Sequence, residues 1–253
     1  MKNLSWARRR AALLAVFAFL SCPISSSARS ILAADDGYDG YKVGGAVWTQ
    51  FTAKLNTASG GNVFLTPNFE NLSLLLSYDA LLLPARDQAD TLSAAEIAAI
   101  SAFIATGRRV LLFGENDNWA GWNQQVVAIA GGSYVPEAYD AYFAYSTPLI
   151  SNEITNGANS ILGFWVGVAA GGTQLYSGRN FVTLWGASQN VLTILDENVV
   201  EDGYQAGYGD DAQFTTNVAE WLAGSRSSVP EPGTLALLGL GLAGLAAARR
   251  RKK

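Results

Sequence analysis

Apolar positions along the chain switch between two periodicities. Residues 30–34 are a short apolar run closed by Asp35-Asp36-Gly37, which predicts a buried strand and a turn. Residues 36–45 read as a Gly/Tyr/Asp loop. Val47, Phe51 and Leu55 then recur at helical spacing, which predicts a helix over 46–58 with Ser59-Gly60-Gly61 as its stop. Residues 63–66 form a second strand and 78–84 a third. The third run, Ala80-Leu81-Leu82-Leu83, does not alternate, so burial on both faces is expected. Ser93 and Glu96 are spaced as a capping box ahead of Ile97, Ile100, Phe103 and Ile104, the clearest helical stripe in the chain, which Gly107 ends. Residues 110–113 form a fourth strand and 122–130 a further helix. The second half is different. Runs at 161–168, 173–176, 181–185 and 191–195 are short strand candidates separated by Gly, Ser and Asn, and 212–222 closes the body as a helix. Strands alternating with helices predict an α/β fold with a mostly parallel sheet, followed by a β-rich second half.

Both ends depart from this pattern. Lys2 and Arg8-Arg9-Arg10 precede an apolar stretch, residues 11–20, and then Ser25-Ser26-Ser27-Ala28. Basic region, apolar region and small residues in that order predict a secretory signal read by the Sec translocon, with cleavage after Ala28, or alternatively after Ala33 or Ala34. Two variants remain open: a twin-arginine signal at Arg8-Arg9 and a loose lipidation motif ending at Cys22. At the other end, Val229-Pro230-Glu231-Pro232-Gly233 precedes an uncharged run of Leu, Gly and Ala to Ala248 and then five basic residues. Counted from Pro232 this run spans roughly 25 Å, a little short of the ~30 Å hydrocarbon core, which predicts a short transmembrane helix. The basic cluster stays on the cytoplasmic side.

Removing both ends changes the charge. The whole chain carries a net −4, but residues 30–230 hold seven basic and 20 acidic side chains, a net −13. A body this acidic argues against nucleic acid or anionic membrane surfaces as partners and suits a soluble exported domain, or one that meets divalent cations. The single Cys, Cys22, lies in the predicted signal, and there is no His, so the mature body has neither a thiol nor an imidazole.

The tail resembles the PEP-CTERM sorting domain of Gram-negative bacteria. The resemblance rests on the motif Val229, Pro230, Glu231 and Pro232, the Leu/Gly/Ala run and the terminal Arg/Lys cluster, in that order. It implies a precursor held transiently in the inner membrane and processed by an exosortase. The product would then reside in the cell envelope, at the outer surface or in the extracellular matrix. It also implies a setting of exopolysaccharide and biofilm production. The expected organisation is a signal peptide at 1–28, an α/β body at 29–224, a linker at 225–228 and the sorting segment at 229–253.

The body resembles a class I glutamine amidotransferase-like domain. The residues that carry this are Tyr78 to Pro84, Leu92-Ser93-Ala94-Ala95-Glu96, Gly107 and Val110-Leu111-Leu112-Phe113-Gly114. Asp210 to Leu222 is similar to the last helix of ThuA-like members. The resemblance implies a three-layer flavodoxin/amidotransferase-like sheet. In the enzymes of that superfamily a Cys stands at the turn after the strand, and Glu115 occupies the counterpart position here. Without Cys or His in the body, neither a Cys–His dyad nor a Ser–His–Asp triad can form.

Ligands in open parallel sheets bind beyond the carboxyl ends of the strands. Those ends carry Asp35, Asp36, Arg86, Asp87, Glu115, Asn116 and Asp117. Such a cluster could bind Ca²⁺, could supply a carboxylate pair for glycoside hydrolysis, or could be turn chemistry. An EF-hand does not fit, since the twelfth position from Asp35 is Ala46. A second acidic stretch, Asp196-Glu197, Glu201-Asp202-Gly203 and Gly209-Asp210-Asp211, reads as solvated loops. Trp119, Trp122, Trp165 and Trp185, with Tyr134, Tyr139, Tyr142 and Tyr145, are candidates for a sugar-stacking platform or for core. The expected function is that of a non-catalytic exported envelope or matrix protein with no resident cofactor. A carboxylate-based hydrolase of extracellular polysaccharide and a Ca²⁺- or sugar-binding adhesion module are the alternatives.

Overall fold

A computed structural model describes residues 29–136 and 143–224. The expected signal peptide with Cys22, the linker, the sorting segment with its short transmembrane helix, and Tyr139 and Tyr142 lie outside the described residues. Among the described residues no helix is long and apolar enough to cross a membrane.

The chain begins with β1 (Ile31–Ala34), α1 (Thr49–Ser59), β2 (Val63–Thr66), a one-turn α2 (Leu72–Leu75), β3 (Ala80–Leu83), α3 (Ala94–Ile104), β4 (Arg109–Phe113) and α4 (Ala120–Ala130). It continues with β5 (Ser133–Tyr134), β6 (Phe143–Ser146), β7 (Ile161–Phe164), β8 (Ala169–Ala170), β9 (Thr173–Gln174), β10 (Val182–Trp185) and β11 (Val191–Ile194). It closes with a short α5 (Asp202–Gln205) and α6 (Asp211–Ala223). Seven strands share one sheet in the order β2-β1-β3-β4-β11-β10-β9. The five from β2 to β11 are parallel, and β10 and β9 add to one side antiparallel. Two small antiparallel ribbons, β5 with β8 and β6 with β7, carry the rest of the β-rich second half.

The order explains the layers. The step from β1 through α1 to β2 runs toward one edge, and the step from β3 through α3 to β4 runs toward the other. Right-handed crossovers of opposite sense place their helices on opposite faces. Consistent with this, α1 packs on α6 while α3 packs on α4. Covered on both sides, β1, β3, β10 and β11 are buried at every position, as the unbroken apolar run of the third strand predicts. Edge strand β2 leaves Phe64 and Leu65 exposed. Trp48, Phe51 and Phe113 pack ring against ring between α1 and the sheet, with centroids 4.8–6.0 Å apart. The capping box forms as expected: the Ser93 hydroxyl accepts from Glu96 N–H at 3.1 Å, and Glu96 accepts from Ser93 N–H at 3.0 Å.

Two boundaries and three short elements differ from expectation for identifiable reasons. The predicted strand over 161–168 stops at Phe164, because Trp165 takes a positive φ of 57° that no strand continues through. Helix α1 starts at Thr49 rather than 46. Its first N–H groups, those of Thr49 and Gln50, donate to the Asp202 carboxylate at 3.1 and 2.8 Å, a cap supplied from far along the chain. The residues of β6, and those of α2 and α5, are too short and weakly patterned to predict from periodicity.

Candidate functional site

The carboxyl ends of β1, β3, β4 and β11 meet at one rim of the sheet. The chain reverses its direction of travel at the β1–β3 boundary, which is where open α/β sheets present their ligand crevice. Glu115 follows β4 by two residues and is 2% exposed. Its position is fixed by Asn123, which accepts from the Glu115 N–H at 3.0 Å and donates to its carbonyl at 2.6 Å. Gly114 permits this turn: a Cβ there would lie 2.4 Å from the Asn123 amide oxygen and 2.7 Å from Leu195. One Glu115 oxygen accepts from the Asn116 N–H at 3.1 Å, and the other accepts from the Glu197 N–H at 3.3 Å.

Asp196 and Glu197, just past β11, are both fully buried. This corrects the reading of that stretch as solvated loop, and Asp211 is buried as well. Asp196 accepts from Phe164 N–H at 2.7 Å and from Asn198 N–H at 3.1 Å. Glu197 accepts from Ala85 N–H at 2.8 Å through one oxygen, while the other is buried with no hydrogen-bond partner. Burial, then the neighbouring Asp196 charge, pushes Glu115 well above the carboxylate range. Burial and the Glu115 charge do the same to Glu197. Burial raises Asp196 to about 7 and Asp211 to about 8, against backbone hydrogen bonds that favour the charge. These four carboxyl groups therefore hold their protons more tightly than free carboxyls do.

The expected site residues divide into separate roles. Arg86 links Asp36, at 2.5 Å, to Glu96, at 2.5 and 3.0 Å. Burial opposes the Arg86 charge, and its hydrogen bonds to Glu96 and the nearby Asp36 more than offset that. Burial also acts on Glu96, but bonds from Arg86, Ser93 N–H and Phe69 N–H bring its carboxyl below the usual value. Asp35 is exposed and pairs with Lys42 at 3.1 Å. Asp87 is exposed and its carbonyl accepts from Asp90 N–H in a turn. Asn116 accepts from Asn118 N–H at 3.0 Å, which is turn chemistry. Asp117 accepts from the Tyr134 hydroxyl. The structure brings Asp36 and Arg86 together and keeps Glu115 with Asp196 and Glu197, and it does not gather the acids around one point. Among the described residues no group of three or more Asp or Glu could hold a metal ion. Sequence reasoning misses the partners of Glu115, although an acidic pair placed directly after the apolar run 191–195 is a usable signal.

Aromatic rings flank the carboxyl floor on two sides. Tyr38 stacks on Tyr41 at 4.9 Å and leans on Trp119 at 5.0 Å, while the Tyr41 hydroxyl donates to Glu201 at 2.6 Å. Burial and the Glu115 and Glu197 charges raise Tyr38 far above the ordinary phenol range. On the other side Phe164 stacks on Trp165 at 4.8 Å and meets Phe143 and Tyr204 at 5.4 and 5.5 Å. Phe143, Tyr145 and Tyr208 are 53%, 54% and 37% exposed. Of the other candidate platform rings, Trp122, Trp185 and Tyr134 are buried and belong to the core.

Comparison with known proteins agrees with this architecture. The IFT52 N-terminal domain superposes with a TM-score of 0.62 at 12% identity, covering 79% of this chain and 100% of that one. A candidate GMP synthase component from Thermoplasma acidophilum gives 0.50 at 13% identity, covering 76% and 94%. A ThuA-like protein from Parabacteroides merdae gives 0.49 at 11%, covering 81% and 94%. At these identities the likeness concerns the fold. No curated protein matches the sequence. Residues 228–252 match the PEP-CTERM protein-sorting motif, which points to an exosortase-sorted exported protein.

Proposed function

We propose that this chain is a non-catalytic, carbohydrate-facing protein of the cell envelope or matrix. In this reading residues 1–28 are its export signal, 29–224 its ligand-bearing body, 225–228 a linker and 229–253 its exosortase-cleaved sorting segment. The observation that carries the reading is the cluster of exposed rings Phe143, Tyr145 and Tyr208, backed by Phe164 and Tyr204, at the rim where such sheets bind ligands. Flat aromatic faces stack on the C–H faces of sugar rings. The sorting motif supports the location, and an exopolysaccharide or biofilm setting supplies the partner. Affinity electrophoresis in gels cast with the host's exopolysaccharide tests this. Retardation of the wild-type chain, lost in the Phe143→Ala/Tyr208→Ala variant, is expected. Unretarded wild type contradicts it.

A second reading, hydrolysis by carboxyl groups, is favoured by one observation: Glu115 and Asp196 are adjacent acids with raised proton affinity, as a general acid requires. Polysaccharide cleavage that is abolished by Glu115→Gln would establish it in place of the first.

A further inference from the structure

At the opposite end of the parallel strands lies a cavity of about 330 Å³, lined by Arg29, Arg109, Asn152, Glu153, Asn190 and Trp221 among others. Arg109 opens β4. Its guanidinium lies 5.3 Å over the Trp221 ring, donates to the Trp221 carbonyl and pairs with Glu153 at 2.9 Å. Among the described residues no carboxylate pairs with Arg29. Two guanidiniums thus face one carboxylate. Burial lowers the proton affinity of Arg109, the Glu153 charge opposes that, and the Arg29 charge lowers it further, so the two cations repel each other across the cavity.

Asn152 supplies a third, independent sign. Its amide oxygen accepts from Ile154 N–H at 2.9 Å and Thr155 N–H at 3.0 Å, which fixes the orientation of the side chain. Its NH₂ group is then left buried without a hydrogen-bond partner. A buried donor in that condition is unfavourable unless something accepts from it. Donors and excess positive charge lining one polar cavity call for an anion with several acceptor oxygens.

We propose that this cavity binds a phosphate group, held by Arg29, Arg109 and the Asn152 amide. Its position suggests two sources. Arg29 lies beside Gly224: a Cβ built there would come 2.7 Å from the Arg29 Nε. The described body therefore begins and ends at this cavity, and the chain continues from Gly224 toward the sorting motif. A lipid headgroup of the membrane crossed during sorting and a soluble phosphate ester would present the same chemistry.

Titration calorimetry on the full chain in neutral detergent decides between presence and absence, with inorganic phosphate in one arm and phosphatidylglycerol bicelles in the other. Arg29→Gln and Asn152→Asp are the variants; the second keeps the amide-oxygen contacts and sets a carboxylate against the anion. Saturable binding in either arm, weakened about tenfold or more by each variant with an unchanged Tm, is the expected result. Binding of inorganic phosphate assigns a soluble ester, and binding of bicelles alone assigns a headgroup. No saturable binding in either arm, or wild-type affinity in either variant, overturns the proposal.

Discussion

The main-chain N–H of Glu197 donates to the side chain of Glu115 at 3.3 Å, joining the end of β11 to the end of β4. The same Glu197 side chain accepts from Ala85 at the end of β3, so three parallel strands are tied together at the rim by two buried acids. Glu115 and Glu197 together form a structural clasp.

That clasp has a signed pH dependence. Asp196, Glu197, Glu115 and Asp211 are acids whose folded-state proton affinity exceeds the unfolded value. The native state therefore binds the extra protons. Their contribution is greatest below the unfolded pKa of about 4 and is lost as pH rises through the folded values, about 7 for Asp196 and about 8 for Asp211. Calorimetric Tm should fall by at least about 3 °C between roughly pH 5 and pH 8. With no His in the chain, no imidazole titrates in that window. Glu197→Gln keeps the oxygen that Ala85 needs and replaces the partnerless one with NH₂. It should flatten the slope, because one titrating group is removed. A Tm that rises across the window would contradict the assignment.

Arg86 should be the most sensitive charged residue in the body. It is buried between Asp36 and Glu96, and Glu96 also receives the Phe69 N–H and closes the α3 capping box. Arg86→Met leaves a buried carboxylate unpaired and should cost about 3–5 kcal/mol in urea unfolding. Adding Glu96→Gln to that variant removes the orphaned charge and should recover a substantial part. Additive losses would show that the pair is not coupled.

Asp202→Ala tests a cap that crosses the fold. Helix α1 has no acid in its first turn, and Asp202 takes the Thr49 and Gln50 N–H groups from outside. The loss should be about 1 kcal/mol, with amide exchange faster in the first turn of α1 and unchanged in α3. Equal exchange in wild type and variant would remove the capping role.

Much of this architecture is written locally. The runs at β1, β3, β4 and β11 lack alternation because both faces are covered, so period alone signals a parallel sheet. Ser93 and Glu96 cap their own helix, and Gly60 and Gly224 end α1 and α6 in left-handed conformations. The site is only half legible for the opposite reason. Glu115 can be located from its place after β4, but its partner Glu197 lies 82 residues away, and only its place after the apolar run 191–195 sets Asp196-Glu197 apart from a solvated turn. Asp87 and Glu115 both follow strands, yet Asp87 is exposed while Glu115 is buried, a difference set by what packs over each turn. The cap on α1 is hidden in the same way, since Asp202 is distant in sequence.

Delivery is the central claim, and intact-mass spectrometry of the chain recovered from the envelope or medium of its host tests it directly. A chain sorted through the motif at 228–252 should have lost its C-terminal basic cluster, residues 249–253, through a cut at or near Pro230-Glu231-Pro232. A mature species that still ends in Lys253 would contradict exosortase processing and leave the tail as a plain membrane anchor.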